Sequence, residues 1–169
     1  MTAGMGPRPD GPPIRVLFVC TGNSARSIMA EALLRRRGGA DFEVSSAGTE
    51  PKGINPLTIR ILEEAGLPTT GFRSKSVNEF LDQSLDYVVT VCDQARQVCP
   101  VFPGSHQSHH WGYEDPALAT GSDEERLAVF RRVFTQIGER IGLFVPLALR
   151  ARTEGGHVTA DPAGVGRGQ

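Results

Sequence analysis

The sequence predicts an α/β fold built on a parallel sheet, and three observations carry that expectation. Runs rich in β-branched residues at 14–19 and 86–91 show little alternation, as strands buried on both faces do. Stretches with apolar residues at helical spacing lie between and beyond them, so strands and helices alternate along the chain. The chain has 169 residues, 39% of them hydrophobic, which suits one core.

Each element has a local reason. Residues 14–19 form the first strand. Residues 27–37 read as a helix with Ile28, Met29, Ala32 and Leu33 on one face, and Gly38 is its natural stop. A short second strand at 42–46 ends at Ala47-Gly48. Asn55 then supplies an N-cap and Pro56 a first helical position for a helix that runs to Ala65 and stops at Gly66. Ser76 and Glu79 have capping-box spacing for a short helix. Residues 86–91 form a third strand, with Cys92 directly after it, and the best fourth strand lies near 107–110. Ser122 and Glu125 make another capping box. They open a long helix carrying Leu127, Phe130, Val133, Phe134, Ile137 and Ile141 at helical spacing. The expected organisation is one domain over 14–149, flanked by a Gly/Pro-rich disordered tail at 1–13 and a polar, glycine-rich one at 150–169.

Composition excludes several function classes. With 18 basic and 19 acidic residues the formal net charge is −1, so no broad positive field for nucleic acid is expected. The N-terminal stretch lacks the apolar segment of a secretory signal, and no apolar run approaches bilayer length, so no membrane partner is expected. Three cysteines, an odd number without a signal, point to cytoplasmic thiols rather than a disulfide framework.

The chemistry concentrates in Cys20-Thr21-Gly22-Asn23-Ser24-Ala25-Arg26-Ser27. None of the five residues between Cys20 and Arg26 is bulky. Gly22 and Asn23 tolerate positive φ, which lets successive N–H groups turn inward as a nest for a tetrahedral anion. The following helix adds its positive end, and Arg26 can grip two anion oxygens. The same field favours a thiolate, which makes Cys20 a candidate nucleophile with Ser24 or Ser27 available to hydrogen-bond its sulfur. The lysine and flanking glycines of a nucleotide phosphate loop are missing. Ligands of parallel sheets bind at the carboxyl ends of the strands. Cys20 and Cys92 each follow a strand, so both should face one crevice. Six residues separate Cys92 from Cys99. On a continuous helix they would stand roughly 10 Å apart, beyond the ~4.4–6.8 Å that a disulfide spans between Cα atoms. They can meet only if residues 93–98 unwind or loop; two unrelated thiols or a metal pair are the alternatives.

The Cys20–Ser27 stretch, followed by Met29-Ala30-Glu31-Ala32, resembles the active-site loop of the low-molecular-weight protein tyrosine phosphatase superfamily, and within it the thioredoxin-coupled arsenate reductases. The likeness extends over Ser46-Ala47-Gly48-Thr49, Val89-Thr90-Val91-Cys92, Cys99-Pro100 and Trp111-Gly112-Tyr113-Glu114-Asp115-Pro116-Ala117. It implies a three-layer α/β/α domain with a four-stranded parallel sheet in flavodoxin-like order. It also implies an oxyanion site formed by Thr21, Gly22, Asn23, Ser24, Ala25, Arg26 and Ser27. Ala25 departs from the pattern, since many members carry a second loop cysteine there.

The resemblance further implies a reaction. Cys20 attacks arsenate, Cys92 attacks Cys20 and releases arsenite, and Cys99 attacks Cys92 to leave a Cys92–Cys99 disulfide that thioredoxin reduces. Phosphate and sulfate would compete as anions. Asp115, before Pro116, corresponds to the general acid, and Glu114 is a solvated companion. No cofactor is required, although some relatives suggest a monovalent-cation site, for potassium, at Asn23, Glu31 and Ser46. His106, His109 and His110 crowd one segment, but neighbouring strand positions face opposite ways, so a surface or packing role is expected of them rather than a shared metal. Two rivals stand beside the reductase. One is a phosphatase acting through a Cys20 phosphocysteine, against which Ala117 counts, because such phosphatases typically carry an aromatic residue there. The other is a sensor that uses the same loop and thiols to signal.

Overall fold

The run of residues 14–19 becomes β1 (Ile14–Cys20), in the interior of the sheet, with Leu17, Phe18 and Val19 excluded from solvent. The computed structural model describes residues 11–104 and 106–158. Around β1 lie β2 (Phe42–Gly48), β3 (Tyr87–Thr90) and β4 (Gln107–His110). The strands pair in parallel in the order β2-β1-β3-β4. Helices α1 (Arg26–Gly38), α2 (Pro56–Glu64), α3 (Asp93–Val98) and α4 (Asp123–Val158) alternate with them. The chain leaves β1 for β2 on one side and returns to β3 on the other. The carboxyl ends of β1 and β3 therefore form the switch point where such sheets bind ligands.

The layers follow from the apolar patterning. Phe144 of α4 collects aromatic rings from across the sheet: Phe42 at 6.1 Å, Tyr87 at 5.1 Å and Trp111 at 5.5 Å. Trp111 in turn meets Phe18 at 5.7 Å. Leu62 and Leu67 pack with Ile28 and Ala32 of α1, and Phe134 of α4 closes that second cluster. Helix α3 packs on β1 and β3. This is the expected three-layer α/β/α domain.

Two local expectations change, while Ser122 and Glu125 pair at the head of α4 as expected. Ser76 accepts the Asn78 N–H at 3.1 Å and opens a single 3₁₀ turn, Val77–Phe80. Glu79 does not complete a capping box, because its carboxylate is taken by Arg73 at 3.0 Å. At the head of α4, Ser122 Oγ accepts the Glu125 N–H at 3.2 Å and its hydroxyl donates to the Glu125 carboxylate at 3.3 Å. The boundary at 149 is too early, because α4 runs on to Val158. Arg152 ties that extension to the domain, reaching Asp41 at 2.9 Å and the Pro12 carbonyl at 3.4 Å. Residues 1–10 and 159–169 of the expected tails lie outside the described residues. Among the described residues, no helix is long and apolar enough to cross a membrane.

Candidate active site

The loop from Cys20 to Arg26 is held from outside by its carbonyl groups. Thr49 N–H donates to Cys20 O (3.1 Å), Glu50 N–H to Thr21 O (2.8 Å), Lys52 N–H to Gly22 O (2.9 Å) and Asn55 N–H to Ser24 O (3.1 Å). A trans peptide sets its N–H opposite its C=O. With these carbonyls turned outward, the N–H groups of Thr21, Gly22, Asn23 and Ala25 point to the inner side of the loop. Asn23 supplies the required turn with φ 45°. Gly48 supplies the clearance, since a Cβ there would sit 2.6 Å from Thr21 O and 2.9 Å from Asn23 N.

Helix α1 opens onto this cradle. Its N-cap is Ala25, which provides no side-chain hydrogen bond, and its first turn carries no acid. The orphan N–H groups and positive dipole end of the helix therefore stay available to an anion.

Cys20 lies at the floor, buried to 2% exposure. Its sulfur accepts the Asn23 N–H at 3.1 Å and lies 2.8 Å from Ser27 Oγ. Asn23 organises that pair. Its Nδ2 donates to Ser27 Oγ (2.8 Å) and to Ser46 Oγ (2.9 Å), while its Oδ1 accepts the Lys75 N–H (2.9 Å). Both donor hydrogens and the amide oxygen are thus used, which fixes the amide's orientation. Because Ser27 Oγ accepts from Asn23, its own proton is directed at the Cys20 sulfur.

Arg26 spans the mouth. It donates to the Tyr113 carbonyl at 3.0 Å and pairs with Asp115 at 3.4 Å. Asp115 also accepts the Ala117 N–H at 3.0 Å, so its carboxylate starts the 3₁₀ turn Pro116–Leu118. Glu114 points elsewhere and pairs with Arg132 of α4, Arg132 Nε lying 2.9 Å away, which anchors the Asp115 loop.

Cys92 lies beside the Cys20 loop, whereas Cys99 sits in a separate cleft beyond α3. Cys92 is buried, and its sulfur lies 3.2 Å from Thr21 Oγ1, the hydroxyl of the residue beside Cys20. The Cys92 sulfur also caps α3 by accepting the Ala95 N–H at 3.4 Å. Cys99 follows α3, half-buried in a cleft of about 550 Å³ together with Thr90, Arg96 and His110. Burial pushes its thiol above the ordinary range. All three cysteines are free.

Asn23, Glu31 and Ser46 do come together, with Arg35 and Lys75 beside the Glu31 carboxylate and its Oε1 buried without a hydrogen-bond partner. Glu31 is buried, and burial raises its carboxyl, opposed by Arg35, Ser46 and Lys75. The Arg35 guanidinium lies 3.1 Å from one Glu31 oxygen and the Lys75 ammonium 3.9 Å from the other. Asn23 presents its NH₂ group to Ser46 rather than its oxygen. Two fixed cations already face the carboxylate. Lys75 had no signal in the sequence, because Arg73-Ser74-Lys75 reads as ordinary polar loop. The same holds for Ser74, whose hydroxyl donates to Gly22 O at 3.2 Å.

The histidines diverge. His109 faces Gln107 and the Tyr87 ring, whereas His110 faces Thr90 and Asp93. His106 lies against the Phe102 ring.

The α/β domain holds a cysteine sulfur beneath an inward-facing backbone cradle, with an arginine and an aspartate at the rim, an arrangement that can present a thiol to an oxyanion. The chain belongs to the low molecular weight phosphotyrosine protein phosphatase family, whose profile matches residues 15–154. An arsenate reductase of Halalkalibacterium halodurans is 44% identical over 129 residues, covering 76% of this chain and 93% of that protein. A solved arsenate reductase in its phosphate-binding state superposes with a TM-score of 0.68 at 31% identity, covering 79% of this chain and 97% of the other. A thioredoxin-dependent arsenate reductase of Corynebacterium glutamicum is also similar, with a TM-score of 0.55 and 31% identity, over 79% of this chain and 64% of that one.

Proposed function

We propose that this protein reduces arsenate to arsenite through a Cys20–Cys92–Cys99 relay and is reset by thioredoxin. The observation that carries the reading is the Thr21 hydroxyl, 3.2 Å from the Cys92 sulfur and attached to the residue next to Cys20. It gives the crevice a second thiol that hydrolysis of a phosphoester does not need.

The cradle binds the arsenate dianion through its N–H groups and Arg26. The Cys20 thiolate, receiving hydrogen bonds from Ser27 and Asn23, forms an S–As bond as one arsenate oxygen leaves. Asp115 at the rim supplies the proton with which that oxygen departs as water. The Cys92 thiolate then attacks the Cys20 sulfur. An S–S bond forms, the S–As bond breaks, and its electron pair stays on arsenic, which leaves as arsenite. Cys99 attacks the Cys92 sulfur in turn, frees Cys20 and leaves a Cys92–Cys99 disulfide. Two thiols are oxidised and one As(V) is reduced. A dithiol of the thioredoxin type returns both electrons, which suits the cytoplasm, where thiols are kept reduced. No potassium step is needed, because Lys75 and Arg35 carry the charge at Glu31.

Phosphoester hydrolysis at the same cysteine is the second reading. The Arg26–Asp115 pair favours it, since an anion grip beside an acid also serves a phosphocysteine route. One experiment separates the two. Arsenite production is followed with thioredoxin, thioredoxin reductase and NADPH, in the native protein and in Cys92→Ala and Cys99→Ala. The reductase reading expects continuous turnover that both substitutions abolish. Phosphoester turnover that survives both substitutions, without arsenite production by the native protein, would overturn it. Oxidation that stops after one equivalent despite the reductant would point to a sensor instead.

A further inference from the structure

Helix α3 stands between the two thiols that the relay must join. It separates Cys92 from Cys99 by a rise of roughly 10 Å, so a bridge forms only after α3 opens. Little apolar packing keeps it closed, since Ala95 is its one buried residue among Asp93–Val98. The polar ties at its start are more telling. Asp93 Oδ1 lies 2.8 Å from His110 Nε2, and His110 Nδ1 lies 2.8 Å from Thr90 Oγ1.

Thr90 ends β3 and Asp93 begins α3, with Cys92 between them. A single imidazole from the last residue of β4 therefore grips the chain on both sides of the Cys92 thiol. The fit is built in at Gly112, where a Cβ would come within 3.2 Å of His110 Nε2 and 3.5 Å of Asp93 Oδ1. Donation from Nε2–H to the Asp93 carboxylate leaves Nδ1 to accept from Thr90. In the protonated ring, Nδ1–H donates to Thr90 instead, whose own hydroxyl can turn to the His109 carbonyl at 3.4 Å. Either state keeps the grip.

We propose that His110 is a positioning residue that latches α3. It holds the Asp93 end of the helix on β4, keeps Cys92 beside Thr21, and thereby delays closure with Cys99 until Cys92 has acted on Cys20. The inference rests on the thiol-relay reading, but its principal test does not need arsenate.

That test is amide exchange in the reduced protein, read by NMR at Arg96, whose N–H bonds to Cys92 O at 3.2 Å, and at Gln97 and Val98. His110→Ala is expected to speed exchange there roughly tenfold, equivalent to ~1.4 kcal/mol, while phosphate affinity at the cradle is kept. His110→Gln, whose amide can still donate to Asp93, should recover most of the protection. Asp93→Ala, which removes the acceptor, should resemble His110→Ala, and the double variant should add little, as expected of coupled partners. If His110→Ala does not fold, the exposed Asp93→Ala carries the test, with Asp93→Asn, whose amide oxygen still accepts from His110, expected to keep most of the protection. Unchanged exchange in α3, or equal losses spread over the whole sheet, overturns the latch. If the native protein forms no Cys92–Cys99 bridge with arsenate while the exchange result holds, the relay fails and the structural latch stands.

Discussion

Arg26 and Asp115 meet across the mouth of the cradle, a guanidinium nitrogen 3.4 Å from a carboxylate oxygen. The pair joins the first residue of α1 to a loop that Glu114 pins to α4 through Arg132. The guanidinium and the carboxylate thus come from distant parts of the chain and converge at the mouth of the cradle. Asp115→Asn should slow the first chemical step by about 100-fold, within the range of a lost general acid. Phosphate should bind at least as tightly, because Arg26 loses a competing carboxylate. Single-turnover kinetics with isothermal titration of phosphate checks both parts. A loss confined to anion affinity would assign Asp115 a binding role instead.

Gly48 is expected to tolerate no side chain. The Cβ of Gly48→Ala would press on Thr21 O and Asn23 N, both parts of the cradle backbone. Overpacking of this kind costs ~1–3 kcal/mol, and the strain should reach the anion site. Urea unfolding with phosphate titration should show reduced stability together with weakened binding.

Lys75 sets the response to potassium. Its ammonium is mostly buried and faces Glu31, so an added cation finds no free charge to neutralise there. Replacing sodium by potassium at constant ionic strength should change kcat/KM by less than about twofold, or ~0.4 kcal/mol. A strong potassium requirement would show that Glu31 turns away from its two cations during the reaction.

Cys99 sets a pH dependence of the closing step. Burial favours the uncharged thiol and raises its pKa, so the reactive thiolate is scarce at neutral pH and increases as pH rises. The rate of Cys92–Cys99 closure, measured by rapid quenching and thiol alkylation, should therefore keep climbing through the ordinary thiol range near ~8.5. A plateau below that range would mean that Cys99 leaves its half-buried site before it loses its proton.

Much of the fold was legible because its signals are local. Asn55-Pro56 caps a helix in any context, and the unalternating strand runs announce a sheet covered on both faces. Cys20 and Arg26 were legible because one short loop carries the whole anion cradle. Lys75 was not, since its backbone N–H meets Asn23 and its ammonium meets Glu31 only through tertiary folding. His110 read as surface or packing because neither Thr90 nor Asp93 is near it in sequence. The end of the domain was misplaced for the same reason, as Arg152 finds Asp41 only once α4 lies along the sheet.

The proposed relay requires that three thiols act in succession at one anion site. Peptide mapping of the thiols after one equivalent of arsenate, without thioredoxin, tests it most directly. The expected product is a Cys92–Cys99 disulfide with Cys20 free and one equivalent of arsenite in solution. Three free thiols beside unreduced arsenate, or arsenite formed while Cys99 stays reduced, would contradict it.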